Sequence, residues 1–349
     1  MRKNLVGLAI NALTLAFVVI VIGKYVIVAQ APITGEWRAE ARTERQGKDG
    51  KEDWDAKEGP KIQINFERTT ANGHNSNGNS YSYSDLQGLT AAQTQNGKVN
   101  FSLVREAGTI QCEGAFVNGK GSGTFTFTPN RSFIDAMRAR GFDFEKSAGK
   151  HNDSIDDRLL TAALVNVTSA LADDLNSANF GKLEVDDLFK AAIFKIDGKF
   201  MAEMKATGFP NLGMEDLVKA RIFKIDADFV RKINDMGFGT KDFEQLVKYS
   251  IFKVTPEFLT EMKNAGFDNL SAEEVVKFRI FNVTPELLTD LKNEGFSNLN
   301  AEDVVKFRIF NIDREFIHKA KAEDPNVTVE DLVKMKIGVK RFVKDKGSN

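Results

Sequence analysis

The chain has 349 residues, of which 42% are hydrophobic and 28% charged, with 48 Lys and Arg against 49 Asp and Glu. That length allows two or three domains, and a formal net charge of −1 excludes a polycation made to wrap phosphate backbones. The single cysteine, Cys112, excludes an intramolecular disulfide and a cysteine-based metal site.

The charge is unevenly placed. Residues 1–150 carry 19 Lys and Arg against 15 Asp and Glu, and the remainder 29 against 34. Arg2-Lys3 precede an apolar run from Leu5 to Gly23, interrupted by Asn11; Tyr25-Val26-Ile27-Val28 follows Lys24. The run is long enough to span a bilayer, and the basic start favours an inside N-terminus with the body outside. Ala29-Gln30-Ala31 has the form of a signal-peptidase site, although Pro32 disfavours cleavage there. Residues 1–31 therefore read as a signal anchor or a removed signal peptide, and Leu5 to Val28 as the membrane contact. A buried soluble helix is the plain alternative. Either of the first two places the body in the periplasm or beyond.

Residues 32–130 change period. Ile62/Ile64/Phe66, Val99/Phe101/Leu103, Ile110/Cys112/Phe116 and Phe125/Phe127 alternate as strands do. Asn96-Gly97 and Asn118-Gly119 have hairpin-turn composition. A small antiparallel barrel or sandwich of about six to eight strands follows. Gln46 to Gly59, which includes Trp54, and Asn72 to Ser80 read as loops. Gly35-x-Trp37 resembles the first strand of lipocalin-type barrels, which implies an apolar pocket; core packing of Trp37 is the plainer reading.

Residues 131–349 repeat at a period of 29. Ile193-Phe194-Lys195, Ile222-Phe223-Lys224, Ile251-Phe252-Lys253, Ile280-Phe281-Asn282 and Ile309-Phe310-Asn311 are one phrase; Gly208-Phe209, Gly237-Phe238, Gly266-Phe267 and Gly295-Phe296 are another. Such self-similarity means a stacked array. Thr255-Pro256-Glu257 starts a helix with the stripe Phe258, Leu259 and Met262, and Gly266-Phe267 ends it. Ser271 to Glu274 is a capping box for a second helix, whose apolar face reads as Val275, Val276, Phe278, Ile280 and Phe281. Asp197, Asp226 and Asp313 replace the capping Thr, and Asn300 and Thr328 the capping Ser. Each unit is a helical hairpin that hides its apolar face against its neighbours. The array extends from about Ser132 to about Phe342, with degenerate ends as caps.

Enzyme chemistry has no visible carrier. His74, His151 and His318 are scattered, no His-Glu-x-x-His or Gly-x-Ser-x-Gly occurs, and Gly119 to Gly123 lacks phosphate-loop spacing. An active site would have to be assembled across domains. Asp156-Asp157, Asp173-Asp174 and Asp186-Asp187 read as dipole-compensating charges at helix starts. No cofactor and no metal are expected.

A basic pair recurs at Lys219/Arg221, Lys277/Arg279, Lys306/Arg308 and Lys334/Lys336. Stacking lines these positions up on one face. Arg221, Arg279, Arg308, Lys219, Lys277 and Lys306 are the candidate partner-binding residues. The competing reading pairs each Lys with the Glu four positions before it, as in Glu273/Lys277.

Two stretches carry a family resemblance. They are Arg105 to Thr109 through Glu113-Gly114 to Gly121-Ser122-Gly123-Thr124-Phe125-Thr126-Phe127-Thr128-Pro129, and the repeat phrase Gly-Phe-x-x-Leu-Ser-x-Glu-Glu-Val-Val-Lys-x-Arg-Ile-Phe-x-Val-Thr-Pro-Glu. Together they resemble the extracytoplasmic part of certain bacterial membrane proteins. Similar repeats follow the membrane metallopeptidase domain of β-lactam-sensor-type antirepressors. The peptidase motif is absent here, so the resemblance implies an envelope protein tied to sensing or regulation and transfers no catalytic residue.

The expectation is an α+β multidomain chain: an N-terminal membrane helix, an antiparallel β domain, then an α-solenoid-like array. Its function reads as non-catalytic binding or scaffolding for a protein or peptide. A carrier of a small apolar ligand in the β domain is one alternative. Nucleic-acid binding by the helix–Gly–helix units is another, opposed by their net acidity and apolar Gly-Phe turns.

Overall fold

Alternating polarity becomes strand. The computed structural model describes residues 32–41, 60–70, 73–147 and 154–340. The strands are β1 (Ile33–Ala41), β2 (Lys61–Thr70), β3 (Gly73–Ser82), β4 (Leu86–Gln87), β5 (Asn96–Arg105), β6 (Gly108–Val117) and β7 (Lys120–Pro129). They form one antiparallel sheet in the order β3-β2-β1-β7-β6-β5-β4. The edge strands β3 and β4 are separated in sequence only by the turn Tyr83–Asp85. So short a link between opposite edges rolls the sheet.

The inner face is filled with rings. Trp37 is fully buried, packs against Phe101 at 5.3 Å and Phe116 at 5.6 Å, and donates Nε1–H to the Glu113 carbonyl. Phe66 meets Phe125 and Tyr81 edge-on. Glycine makes the room: a Cβ on Gly114 would lie 2.6 Å from Trp37 Cζ2 and 2.2 Å from the Ser122 carbonyl oxygen. Cys112 is buried on the same face, and burial pushes its thiol pKa up.

Two sequence expectations for this unit need correction. Most of Asn72 to Ser80 is strand, not loop, because Gly73–Ser82 pairs with β2 along its whole length. An edge strand needs backbone pairing on one side only, so polar residues are tolerated there. Asn96-Gly97 is not a two-residue turn; Asn96 opens β5, and its Oδ1 accepts from the Asn118 N–H. Asn118-Gly119 is one, with φ of 50° and 79°.

Helical spacing becomes helix from Ser132 onward. α1 (Ser132–Arg138), α2 (Phe144–Ser147) and α3 (Ile155–Leu164) precede six hairpins. These are α4 (Ser169–Ser177) with α5 (Val185–Phe194), α6 (Gly198–Lys205) with α7 (Met214–Ile222), and α8 (Ala227–Asp235) with α9 (Phe243–Ile251). Then come α10 (Pro256–Asn264) with α11 (Ala272–Ile280), α12 (Pro285–Asn293) with α13 (Ala301–Ile309), and α14 (Arg314–Glu323) with α15 (Val329–Lys336). The second helices α5, α7, α9, α11, α13 and α15 pack side by side in that order.

The helix starts follow the sequence. Thr255, Thr284, Asp197, Asp226 and Asp313 accept from the third N–H of their helices. Ser271 and Thr328 form reciprocal capping boxes with Glu274 and Asp331. Each such cap contributes about 1 kcal/mol. Asp156 and Asp187 lie in first turns as expected, but Asp173-Asp174 does not: Asp173 binds Arg140 and Asp174 accepts from the Gly198 N–H.

Both helices of the hairpins from α4 to α13 end in a left-handed residue. Gly208, Gly237, Gly266 and Gly295 do this for the first helix, as expected. Helices α3, α5, α7, α9, α11 and α13 end at Asn166, Lys195, Lys224, Lys253, Asn282 and Asn311, all with φ between 48° and 59°. The residue after each is buried, as with Ile196, Ile225, Val254, Val283 and Ile312, and its N–H reaches back five residues. Val283 bonds the Phe278 carbonyl at 2.8 Å, which is the Schellman closure.

Clustering of backbone contacts divides the chain into two units, one ending at Pro129 and lacking Arg105–Gly108, the other comprising Arg105–Gly108 and the residues from Asn130. Among the described residues no helix is long and apolar enough to cross a membrane. Leu5 to Val28, Gln46 to Gly59 with Trp54, and His151 lie outside the described residues.

Candidate partner-binding surface

Every second helix shows solvent the same stripe. Counting from the N-cap, an acid stands at the second position, a lysine at the sixth and an isoleucine at the ninth, as in Glu273, Lys277 and Ile280. Spacings of four and three put them on one side of the helix, turned away from buried Val275, Val276 and Phe278. The isoleucines are Ile193, Ile222, Ile251, Ile280, Ile309 and Ile337, and each is between 48% and 55% exposed. This corrects the expectation for the isoleucine of the Ile-Phe phrase, whereas Phe194, Phe223, Phe281 and Phe310 are partly buried and Phe310 packs against the core of the last hairpins. The core residue of the phrase is the one three places after the isoleucine, Ile225 or Val283, brought inward by the left-handed turn.

The basic pair has two fates. Lysines mostly tie one hairpin to the next. Lys219 pairs with Glu244 and Lys190 with Glu215, while Lys306 meets Glu330 at 2.6 Å and Asp303 at 3.3 Å. Lys277 instead binds Glu273 of its own helix at 3.2 Å. These carboxylate bonds raise the pKa of Lys190, Lys219 and Lys306.

The arginines reach backwards. Arg221 Nη2 donates to the Lys195 carbonyl at 2.7 Å, and its guanidinium lies 3.7 Å from the Phe200 ring centre. Burial lowers the Arg221 pKa, against the nearby Asp197, Glu203 and Asp226. Arg279 Nε donates to the Phe252 carbonyl at 3.0 Å and lies over Phe258. Ser250, at the equivalent position, donates to the Phe223 carbonyl. Lys336 lies over Phe316 at 4.6 Å. Arg308 is exposed. Arg221 and Arg279 thus bond C-terminal carbonyls of the preceding hairpin.

The cations are distributed so that each isoleucine has one close in sequence. Where the residue before it is neutral, at Ala192 and Ser250, a lysine stands two places after, at Lys195 and Lys253. Where the later place is Asn282 or Asn311, Arg279 or Arg308 precedes. Lys195, Lys224 and Lys253 are exposed and left-handed, a conformation that costs a residue with a Cβ about 1 kcal/mol or more. Glycine or asparagine would do the structural work at less cost.

One cleft in the array, about 510 Å³, lies beside Phe296, Lys321, Thr328 and Glu330. Its charged groups are already engaged: Lys321 donates to the Glu294 carbonyl, and Glu330 accepts from Lys306. Among the described residues no cluster of His, Cys, Asp and Glu has metal-binding geometry.

The fold and this edge define an α+β chain whose helical repeats expose a periodic apolar and basic ridge. No protein-family model, no curated protein and no solved structure matches the chain. The family resemblance therefore rests on the quoted residues alone.

Proposed function

We propose that this chain is a non-catalytic binding and scaffold protein of the bacterial envelope, in which the helical array presents a surface to a protein or peptide partner. In this reading Leu5 to Val28 holds the chain in the inner membrane and the body lies on the periplasmic side, in a sensing or regulatory role. The observation that carries the partner reading is the row of half-exposed isoleucines, each with a basic neighbour, on the second helices of six successive hairpins. Core packing does not require them, and side by side they make an exposed apolar row of the kind that marks interaction sites.

The test is photo-cross-linking in cells. A photoreactive residue at position 222 or 280 is expected to capture a discrete polypeptide, and the same residue at exposed Lys199 is not. Absence of any polypeptide adduct along the ridge would remove the partner reading. Recovery of the chain in the soluble cytoplasmic fraction would remove the location.

A further inference from the structure

We infer, granting a polypeptide partner as above, that the isoleucine edge holds an extended acidic segment in polyproline II form, one apolar side chain to each array helix. Three observations lead there.

Charge comes first. Although residues 151–349 are acidic in total, the last turns of the second helices gather the cations. Each isoleucine has Lys or Arg either directly before it or two places after. An anionic group per repeat would meet a cation per repeat.

Backbone conformation comes second. Lys195, Lys224 and Lys253 occupy left-handed positions, with φ of 53°, 54° and 56°, where side chains other than Asn are disfavoured. Lys224 and Lys253, in consecutive hairpins and each two residues from an exposed isoleucine, serve something outside the fold. The next two hairpins carry Asn282 and Asn311, whose exposed amides suit the carbonyls of an extended backbone.

Spacing comes third. Helices packed side by side stand about 8–10 Å apart. A polyproline II segment has three residues per turn at about 3.1 Å each, so its same-facing side chains recur about every 9 Å. A β-strand repeats its face about every 6.6–6.8 Å and falls out of step within two helices. A partner with an apolar residue at every third place, acids between and prolines to hold the form therefore keeps step with the ridge. Proline's ring fixes φ and pre-sets the polyproline II form, so little conformational freedom is lost when it docks on a ridge instead of in a groove.

The probe is a fluorescein-labelled peptide of about six Leu-Pro-Glu triplets, titrated against the full-length protein and read by anisotropy. Saturable binding is expected. It should weaken by about tenfold or more in the joint variant Ile222→Ser, Ile251→Ser, Ile280→Ser. The same loss is expected in the joint variant Lys224→Glu, Lys253→Glu. Both changes are on exposed side chains, and an unchanged circular-dichroism melt keeps them interpretable. An alternating Leu-Glu peptide without proline should bind less tightly by a similar factor.

The inference fails if the triplet peptide does not bind, if the serine variant binds it equally, or if the alternating peptide is preferred. Binding of phosphatidylglycerol vesicles or heparin in place of the peptide also overturns it. Cross-links to a polypeptide at position 222 or 280, with no triplet binding, would leave the partner reading standing and remove only the polyproline II assignment. Loss of both would remove both.

Discussion

The Nε of Arg279 donates to the carbonyl oxygen of Phe252 at 3.0 Å and so joins one hairpin to the hairpin before it. The carbonyl belongs to a helix end that has no partner of its own. Replacing Arg279 with Ala should cost about 1–2 kcal/mol, from a charge-assisted bond and the contact with Phe258. Arg308→Ala, on an exposed side chain, should change stability by less than about 0.5 kcal/mol. Urea unfolding of both variants checks the contrast; equal effects would show that the backward bond contributes nothing.

Ile222 and Ile225 stand three residues apart and should behave oppositely. Ile225 is 1% exposed, and its truncation to Ala should cost about 2–4 kcal/mol. Ile222→Ser should stay within about 0.5 kcal/mol of wild type. Thermal melts of the two variants decide this, and a large loss at Ile222 would return that residue to the core.

Left-handed positions make a third pair. Lys224→Gly should stabilise the array by about 0.5–1 kcal/mol, because glycine removes the Cβ penalty at φ 54°. Gly266→Ala should destabilise it by about 1 kcal/mol at φ 97°. A Cβ there meets nothing within 4 Å, so the loss would be conformational and not steric. Chemical denaturation midpoints should move in opposite directions.

In the β unit the steric term dominates. Gly114→Ala forces a methyl against the Ser122 carbonyl and the Trp37 ring, with an expected loss of about 2–3 kcal/mol. Tryptophan fluorescence should report a looser Trp37 environment before global unfolding. An unchanged spectrum and midpoint would contradict the close packing.

Acid should weaken the capping boxes. Lys340 first, then the Thr328 hydroxyl and N–H, hold Asp331 down at about 2. The Ser271 N–H, then its hydroxyl, lower Glu274 in the same way. A carboxylate whose folded pKa lies below its unfolded value stabilises fully above the unfolded pKa and loses that contribution as pH falls through the folded one. For Asp331 the window runs from about 4 down to about 2. Melting temperature should fall across it, and Asp331→Asn should flatten part of that slope. An identical slope in the variant would assign the acid sensitivity elsewhere.

The sequence shows most of the array because its local signals agree with one another. Thr255-Pro256, Ser271 to Glu274 and Gly266-Phe267 each state a cap or a stop, and all hold in three dimensions. It misleads at Ile280, which is four residues from buried Val276 and so looks like the same face. Ile280 is also three residues from Lys277 and seven from Glu273, which is the charged stripe it joins. That signal is present but weaker than hydrophobicity. Arg279 bonds across a hairpin boundary, a tertiary contact that helical spacing does not encode. The β3 strand is hidden for a related reason: Asn, Gly and Ser between 73 and 82 carry no alternation, and backbone pairing with β2 alone makes it a strand.

The left-handed closures occur twice in each hairpin, and the joints leading into and out of each unit are alike. A gene segment coding one period can be duplicated or lost without creating any turn the backbone does not already make. Array length is thus free to vary by copy number. The exception is Asp324, where α14 runs into extended backbone with φ −139° and the link to α15 is at least two residues shorter than its counterparts. Growth is permitted upstream of that residue, and the closing hairpin stays where it is.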